Sequence, residues 1–550
     1  MTSWHRRSLK PSSELNGYCK EVFVFMEAAL LNIVSTINSY LSNYVLLILL
    51  IGTGLYFTIR TRGVQFRCFG EGWKKMFGGF SLSGGDHGGH MSSFQALATA
   101  IAAQVGTGNI VGACGAILIG GPGAIFWMWI IALLGMATNY AEATLAQKTK
   151  VVDEEGTVHG GPVYYITTAF KGAGGRFLAG FFSVAIILAL GFIGCMVQSN
   201  SIAETMNNAT GIPTWVVGIV IAALAGFVFI GNVHRLASVT EKLVPLMAVV
   251  YLIGGLIVLI MNAGNLPGAF ALIFTCALNP ASAMGGAFFG LIAALSQGAK
   301  RGLFSNEAGM GSTPHAHALA KVKDPHDQGV VAMIGVFVDT IVVVTMTALV
   351  VISVLYVGDG PLATAYENAS KYGTVAEFVA AEGDAIVEGY TLNADGELVD
   401  ETGEAVLTND DMKDPAKLAG AIGISKTNMA QLAFGTFFTT GFGNVFVAIC
   451  LLFFAFSTIL SWNLFAKLNV RYLFRNGNTR AAVLVFSVIG IAFVFLGSVL
   501  QNDLVWELQD MFNQLMVIPN VIGLVALSGW VVKCSLARGT KTDELMSDEL

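Results

Sequence analysis

Two polar residues interrupt a long apolar stretch, and they are the first candidates for chemistry. Residues 94–117 are apolar enough to cross a bilayer, yet Thr107 and Asn109 lie inside them, beside Gly106 and Gly108. A helix broken inside a membrane must give its freed backbone N–H and C=O groups to protein, a ligand or a cavity. The break therefore predicts a binding site for a small solute. The alternative is that the glycines only allow neighbouring helices to pack closely.

A second apolar stretch, residues 294–312, is interrupted in the same way. It contains Asn306 and Glu307 in the sequence SNEAGMGS. An ionisable residue at membrane depth is a functional candidate by default, so we expect Asn306 and Glu307 to hold the unwound region or to act at a gate. Two interrupted helices in corresponding positions of two halves are the sequence signature of a transporter's central site.

Hydroxyl groups form a further cluster in the stretch FFAFSTILSWNLF. Ser457 and Ser461 are four residues apart, as are Thr458 and Trp462, so each pair shares a helix face. Oxygen ligands are what a hard cation such as Na⁺ requires. The alternative is that the hydroxyls bond back to carbonyls of their own helix, and that Trp462 only packs.

Other charged residues lie in or near apolar segments. Asp339 lies in FVDTIVVVT, where a structural bridge to Lys300 or Arg301 competes with a role in gating. Glu142 and Asp510 lie near segment ends, where a solvated carboxylate or an ion pair is the simpler interpretation.

Four histidines suggest a metal site, but weakly. They are paired in GGDHGGH and STPHAHA, and no second ligand pair at a specific spacing supports metal binding; they are His87, His90, His315 and His317. We therefore expect no metal other than a coupling ion.

The composition indicates the elements that position these residues. The 550 residues are 54% hydrophobic and only 12% charged, against about 25% charged in an ordinary soluble domain. The chain is predicted to be an all-α polytopic protein of the lipid bilayer. Its net charge of −6 and the lack of a basic patch argue against nucleic acid. The seven cysteines occur singly and are interpreted as packing residues.

Eleven segments have spanning length. They are residues 43–60, 94–120, 122–147, 178–206, 214–232, 243–262, 284–319, 329–357, 441–470, 481–499 and 506–533. The eleven predicted segments divide into one extra helix and two five-helix repeats of opposite orientation, and each repeat begins with a broken helix.

The predicted divisions follow from this count. They are an N-terminal tail at 1–40, with Met26 as the expected natural start, an extra first helix at 41–62, repeats at 93–262 and 284–533, an acidic outer loop at 358–440 inside the second repeat, and a tail at 534–550. We expect the acidic loop to be a solvated insertion that does not touch the transport site.

The distribution of Lys and Arg predicts the orientation. Most of the 30 cations fall on one side if the 60–75 loop is cytoplasmic, and Lys300 and Arg301 are counted there. The loops near 207–213, 263–283 and 500–505 lack cations and are placed outside. The N-terminus is then outside and the C-terminus inside a bacterial-type inner membrane.

Several motifs together resemble one family closely. They are AQVGTGNIVG, NYAEATLAQK, GGPVYYI, KRGLFSNEAGMGS, FVDTIVV, FSTILSW and DMFNQLMVIPN. They are similar to the alanine or glycine:cation symporter family, from about Ile48 to Lys533. The resemblance implies the five-plus-five inverted-repeat fold of amino acid transporters.

The resemblance also implies roles for individual residues. It implies that the amino acid is bound by Thr107, Gly108 and Asn109, and Na⁺ by carbonyls of Ala102, Val105 and Phe454 with the hydroxyls of Ser457 and Thr458. Gln104 takes the place of a group facing the substrate ammonium, Trp462 limits side-chain size beside Thr458, and Gln198 belongs to the same pocket.

The expected function is import of alanine or glycine coupled to Na⁺ by alternating access, with no cofactor and no enzymatic activity. A gated ion channel or an H⁺-coupled amino acid transporter is the alternative. An intramembrane enzyme fits less well, because no HExxH sequence occurs and the carboxylates lack a paired catalytic context.

Overall fold

The apolar segments fold as helices, because a membrane offers no water to hydrogen-bond an unpaired backbone. The computed structural model describes residues 29–78, 91–153, 158–230, 233–278, 290–436, 439–500 and 502–536. The helices before the second break are α1 Ala29–Arg60, α2 Phe69–Gly78, α3 Ser93–Gln104, α4 Gly108–Gly120, α5 Gly123–Thr149, α6 Pro162–Ala169, α7 Ala173–Thr210, α8 Thr214–Phe229, α9 Val233–Met261 and α10 Leu266–Leu278.

The remaining helices begin with the second interrupted segment. They are α11 Leu291–Asn306, α12 Pro314–Ala318, α13 Pro325–Leu355, α14 Pro361–Lys371, α15 Val375–Glu382, α16 Pro415–Ala421, α17 Met429–Phe434, α18 Thr440–Leu473, α19 Thr479–Gly497, α20 Asn502–Ala526 and α21 Ser528–Leu536. A strand pair, β1 Val151–Val152 and β2 Val158–His159, follows α5.

Seven of the described helices are each long and apolar enough to span a membrane, and nine spans result if each of two bent pairs counts as one. The prediction of an all-α polytopic membrane protein is confirmed. The division into one helix plus two five-helix repeats stays a prediction.

The first break lies where the sequence predicts it. Ser92 caps the start of α3 in a capping box with Gln95, and α3 ends at Gln104. The chain resumes as α4, whose first turn is π-helical, at an angle of 49° to α3. The carbonyls at the end of α3 and the N–H groups at the start of α4 therefore lack intrahelical partners.

The second break is sharper than the first. α11 ends at Asn306, and Glu307 adopts a left-handed conformation with φ of 59°, which is uncommon for a residue with a side chain. Gly309 and Gly311 also have positive φ. Helix resumes only as the short α12, so the residues between the two helices run across the protein interior as an irregular loop.

The prediction of an outer loop near residues 263–283 is wrong for the residues of this segment that the structure describes. Residues 266–278 form α10, which packs so closely on α5 that a Cβ on Gly123 would lie 2.3 Å from the Cys276 carbonyl carbon. Trp127 also donates its indole N–H to the Ala277 carbonyl at 3.1 Å. The segment is apolar and has no cations, so its charge pattern could not distinguish it from a loop.

The acidic insertion is a folded unit rather than a solvated loop. It contains α14 to α17 and an antiparallel sheet in the order β3 Thr391–Leu392, β4 Leu398–Val399, β5 Ala405–Leu407. Its own core buries Leu362, Phe378, Leu398, Leu407 and Leu418. Because the acidic residues of the insertion lie on its surface, its average composition does not reveal this core.

The insertion packs against helices of the membrane-spanning part, including the first broken helix. Gln431 in α17 donates to the Thr205 carbonyl of α7 at 3.0 Å. The Lys426 side chain lies 3.7 Å from the Cβ position of Gly115 in α4. The insertion therefore covers one end of the first broken helix.

Arg301 does not belong to a loop, so counting it among the loop cations is wrong. It lies inside α11 and forms two hydrogen bonds of 3.0 Å with Asp510 in α20, and Lys300 is 3.8 Å from the same carboxylate. Arg301 also stacks over Trp506, whose ring centroid is 5.5 Å from the ammonium of Lys426 in the insertion. Counting cations along a sequence assumes that they lie in loops, and Arg301 is instead a buried, paired charge.

Candidate transport site

The five expected ion ligands lie together at the first break. The Thr458 hydroxyl oxygen lies 2.9 Å from the Ala102 carbonyl, 3.1 Å from the Phe454 carbonyl and 3.5 Å from the Val105 carbonyl. The Ser457 hydroxyl is 2.8 Å from the Phe454 carbonyl. Both hydroxyls and all three carbonyl-bearing residues are buried.

Local structure explains why these oxygens converge. The carbonyls of Ala102 and Val105 point out of the end of α3 because the helix stops there. Gly106 has no side chain, and a Cβ at this position would lie 2.4 Å from the Thr458 hydroxyl oxygen. The close approach of α18 to the break therefore requires glycine. A buried cluster of neutral oxygens can ligate a hard monovalent cation.

Backbone donors at the same break face two side-chain amides. The N–H of Thr107 donates to the Gln198 amide oxygen at 3.0 Å, and the N–H of Gly106 donates to the Asn109 amide oxygen at 2.9 Å. The Thr107 hydroxyl is buried and has no hydrogen-bond partner among the residues described. N–H groups at the start of a half-helix suit a carboxylate.

Gln104 bridges the two breaks. Its amide N–H donates to the Asn306 carbonyl at 2.7 Å. Its amide oxygen is buried beside Gly335 of α13, 3.1 Å from the Cβ position of that glycine, with no hydrogen-bond partner in the described part of the chain. A buried acceptor of this kind can receive a bond from an ammonium group.

Asp339 joins both broken helices through neutral donors. Its carboxylate accepts from Asn109 at 2.6 Å, from Ser305 at 2.6 Å and from Thr340 at 2.8 Å. Asn306 in turn donates to the Thr340 hydroxyl at 3.2 Å. The bridge to Lys300 or Arg301 that we considered is wrong, because both cations face Asp510.

Two further carboxylates fix the loop after α11. Glu307 accepts from Ser312 and from the Trp462 indole N–H. Glu142 accepts from the backbone N–H groups of Gly309 at 3.1 Å and Gly311 at 2.9 Å. The solvated segment end proposed for Glu142 is wrong, since this residue is fully buried inside α5.

Trp462 closes the space beside the break. Its ring makes an edge contact with Phe304, with centroids 5.8 Å apart, and fills the place where a Cβ on Gly194 would lie 2.5 Å away. Phe304 also lies 2.9 Å from the Cβ position of Gly108. Phe304 was not predicted, because its only signal in the sequence is an aromatic residue next to the polar stretch SNE.

Histidines near the second break have structural partners. His315 contacts the Ser312 carbonyl and Asn469, each at 2.8 Å, and His317 contacts Gln328 at 2.8 Å. His87 and His90 lie outside the described residues. The described pair does not form a metal site with each other.

Comparison with known proteins agrees with the motifs. The sequence model of the Sodium:alanine symporter family matches residues 26–382 and 400–542. The Sodium/alanine symporter AgcS of Methanococcus maripaludis is 36% identical over 502 residues, covering 91% of this chain and 95% of that protein.

Two proteins of Bacillus subtilis are also similar. The Putative sodium/proton-dependent alanine carrier protein YrbD is 38% identical, with 90% of each chain covered. The Probable sodium/glutamine symporter GlnT is 33% identical, covering 92% of this chain and 89% of that protein.

Among solved structures, a mutant of the Eremococcus coleocola manganese transporter covers 80% of this chain and 94% of its own, at 14% identity and a TM-score of 0.35. The sequence matches extend over nearly the whole chain, including both broken helices and α18. This chain belongs to the sodium:alanine symporter family.

Proposed function

We propose that this membrane protein is a secondary active symporter that carries a small neutral amino acid, alanine or glycine, together with Na⁺ by alternating access. The observation that carries this proposal is the buried oxygen cluster of Ala102, Val105, Phe454, Ser457 and Thr458 at the first break. The family membership and the names of the relatives AgcS and YrbD support both the ion and the substrate class.

The oxygen cluster supports coupling because its ligands come from two different elements. Ala102 and Val105 belong to the end of α3, whereas Phe454, Ser457 and Thr458 belong to α18. A cation that binds all five favours the state in which α3 and α18 are close, and disfavours the state in which they separate. Because the neighbouring break binds the amino acid, Na⁺ and substrate favour the same state.

The substrate proposal rests on complementary groups around the break. The N–H groups of Gly106 and Thr107 donate to the amide oxygens of Asn109 and Gln198 in this structure. An amino acid carboxylate that displaced these amide oxygens would suit the same donors. The buried oxygen of Gln104 suits its ammonium. Trp462 and Phe304 pack against each other beside the break, and such bulky walls favour a small side chain, that of alanine or glycine, over the larger glutamine.

Uptake into proteoliposomes tests the function directly. We expect labelled alanine to accumulate when an inward Na⁺ gradient is imposed, and unlabelled glycine to compete better than unlabelled glutamine. Uptake that does not change when K⁺ replaces Na⁺ would exclude Na⁺ coupling. Absence of counterflow exchange would instead favour a gated channel.

Proton coupling is the second candidate, and buried carboxylates favour it. Asp339 and Glu307 are fully buried and accept only from neutral donors in their observed hydrogen bonds. A buried carboxylate requires a counter-charge or a proton. Alanine accumulation driven by a pH gradient without Na⁺, and lost in Asp339→Asn, would establish this mode.

We further propose a bacterial-type inner membrane with the N-terminus outside, the insertion outside and the C-terminus cytoplasmic. The cations of the first loop and of residues 321–323 support this orientation. Protease added to cells whose outer membrane has been permeabilised should cut the insertion near residues 393–403 and leave the loop at 60–68 intact. Cleavage of the loop at 60–68 with an intact insertion would show that the orientation is the opposite of the proposed one.

A further inference from the structure

Three metal-ligating side chains meet at the junction of α2 and α13. Cys68 precedes α2, Glu71 lies in its first turn, and His326 lies in the first turn of α13. One ligand atom from each residue lies within 4.8 Å of the other two. His326 is thirteen residues from Asp339 on α13, or about 20 Å at 1.5 Å per residue. The cluster is therefore separate from the transport site.

The His326 ring is oriented as a metal ligand would be. Its Nδ1 lies 2.7 Å from the Tyr140 hydroxyl. Its Nε2 is buried and makes no hydrogen bond to the described residues, although a Glu71 carboxylate oxygen lies 3.5 Å away. His326 as a whole is only 7% exposed. Buried polar atoms are normally paired, and a bound ion would supply the partner that this nitrogen lacks. Metal-binding histidines commonly have the second ring nitrogen fixed by a hydrogen bond of this type.

We propose that Cys68, Glu71 and His326 bind a divalent transition-metal ion of the zinc class. Thiolate, imidazole and carboxylate are the three ligand types that Zn²⁺ takes in proteins. Ligands at such bond lengths in a tetrahedral site lie about 3.4–3.7 Å apart. His326 Nε2 and the nearer Glu71 oxygen are already 3.5 Å apart.

Access and coordination number also fit an exchangeable ion. Cys68 is fully buried, whereas the Glu71 side chain is 31% exposed. The ion therefore enters from the side of Glu71. A water molecule takes the fourth coordination position, as in zinc sites with three protein ligands.

Metal binding would fasten α2 to α13. The two helices are in close contact, since a Cβ on Gly72 would lie 2.4 Å from the Val330 carbonyl oxygen. The rings of Phe69 and Phe337 also make an edge contact with centroids 4.9 Å apart. An ion that binds only this arrangement opposes any transport step that separates α2 from α13. The bound metal is therefore an inhibitor of transport.

Lys75 competes with the metal for Glu71. Its ammonium lies 3.2 Å from the Glu71 carboxylate and also contacts Asp327. Removing this cation frees the carboxylate and takes a positive charge away from the site. Lys75→Gln should therefore tighten metal binding several-fold, which a purely structural role of the three ligands would not produce.

Cobalt titration of the full-length, tag-free protein in nanodiscs, with thiols kept reduced, tests the site. We expect one Co²⁺ per chain with thiolate-to-cobalt charge-transfer absorption, and displacement of that signal by Zn²⁺. Cys68→Ser and His326→Gln should abolish the signal, and Glu71→Gln should weaken binding at least ten-fold. Cys276→Ser, at a buried cysteine of α10, is the matched control and should bind as the wild type does.

The transport assay supplies a second measurement. Zn²⁺ should slow alanine uptake by the wild type and by Cys276→Ser, but not by Glu71→Gln. A wild-type protein without saturable cobalt absorption, or a Cys68→Ser variant that binds as tightly as the wild type, overturns the proposal. If Cys68→Ser does not fold, the Glu71→Gln variant decides, because the partly exposed Glu71 side chain tolerates the change. Unaltered cobalt affinity in Glu71→Gln then refutes the site.

Discussion

Trp462 donates its indole N–H to the Glu307 carboxylate, with the two atoms 2.5 Å apart. The first residue lies one turn beyond the expected ion ligand Thr458, and the second begins the loop that interrupts the second broken helix. This one hydrogen bond therefore links α18 to the second break, just as Thr458 links α18 to the first. A change in either break is transmitted to the same helix.

Replacing Trp462 tests whether it limits substrate size. Trp462→Ala removes a ring packed between Phe304 and Gly194, and each buried methylene is worth about 0.8 kcal/mol. We expect weaker alanine binding and new competition by leucine or methionine. Trp462→Phe, which keeps most of the bulk but lacks the N–H, should weaken alanine without admitting leucine. If leucine competes no better against a well-folded Trp462→Ala protein, Trp462 only packs.

Removing the Thr458 hydroxyl tests the ion site. Thr458→Val keeps the shape but deletes an oxygen that lies 2.9 Å from the Ala102 carbonyl. The Na⁺ concentration for half-maximal uptake should rise several-fold, or uptake should vanish. Thr458→Ser keeps the oxygen and should retain nearly the Na⁺ dependence of the wild type. The measurement is initial alanine uptake against Na⁺ concentration, and an unchanged dependence in Thr458→Val would place the ion elsewhere.

A methyl group at Gly106 should separate the two sets of ion ligands. The added Cβ would lie 2.4 Å from the Thr458 oxygen and 3.1 Å from the Gln198 amide oxygen. Gly106→Ala should therefore lose Na⁺-driven uptake while the protein still inserts and folds. Gly52→Ala in α1, where a Cβ meets nothing within 4 Å, is the control and should be active. Normal Na⁺ dependence in Gly106→Ala would contradict the proposed site.

Both breaks could be predicted from the sequence, because glycine and polar residues that interrupt an apolar stretch are costly in a membrane unless the freed backbone groups find partners. The convergence of Thr458 on Ala102 came from the family resemblance, since residues 356 positions apart give no local signal. The partner of Arg301 could not be predicted, because Asp510 also lies 209 positions away. Phe304 was missed because its role depends on the absence of a side chain at Gly108.

The fold of the insertion was hidden for a different reason. Its acidic residues are on its surface, whereas its core is made of scattered apolar residues such as Leu362 and Phe378. A composition average over residues 358–440 records the charges and misses the core. The family model also leaves out residues 383–399, which include β3 and β4.

The Arg301–Asp510 pair should be strongly coupled. Asp510 is 3% exposed and Arg301 is 7% exposed. Breaking a buried pair from one side costs about 3–5 kcal/mol. Lys300, 3.8 Å from Asp510, offsets part of this cost when only Arg301 is removed. Arg301→Met and Asp510→Leu should each destabilise the protein strongly, and the double variant should recover much of the loss. Thermal unfolding of the four proteins in detergent gives the coupling; additive losses would show that the pair is not one unit.

Lys426 should restrain the end of the first broken helix that the insertion covers. Its ammonium lies 2.8 Å from Asp503 and 5.5 Å from the Trp506 ring centroid, and its stem covers Gly115. Lys426→Met keeps an apolar stem but removes the charge. Because partly exposed pairs contribute about 0.2–1 kcal/mol, we expect counterflow exchange of alanine to speed up by a few-fold.

Lys417→Met breaks the exposed pair with Asp411 in the same insertion and is the matched control, with no expected effect. Deleting only the exposed turn residues 394 and 395 between β3 and β4 should also leave exchange unchanged, whereas deletion through Lys426 should alter it. Equal rates in Lys426→Met, Lys417→Met and the wild type would show that the insertion covers the helix without restraining it.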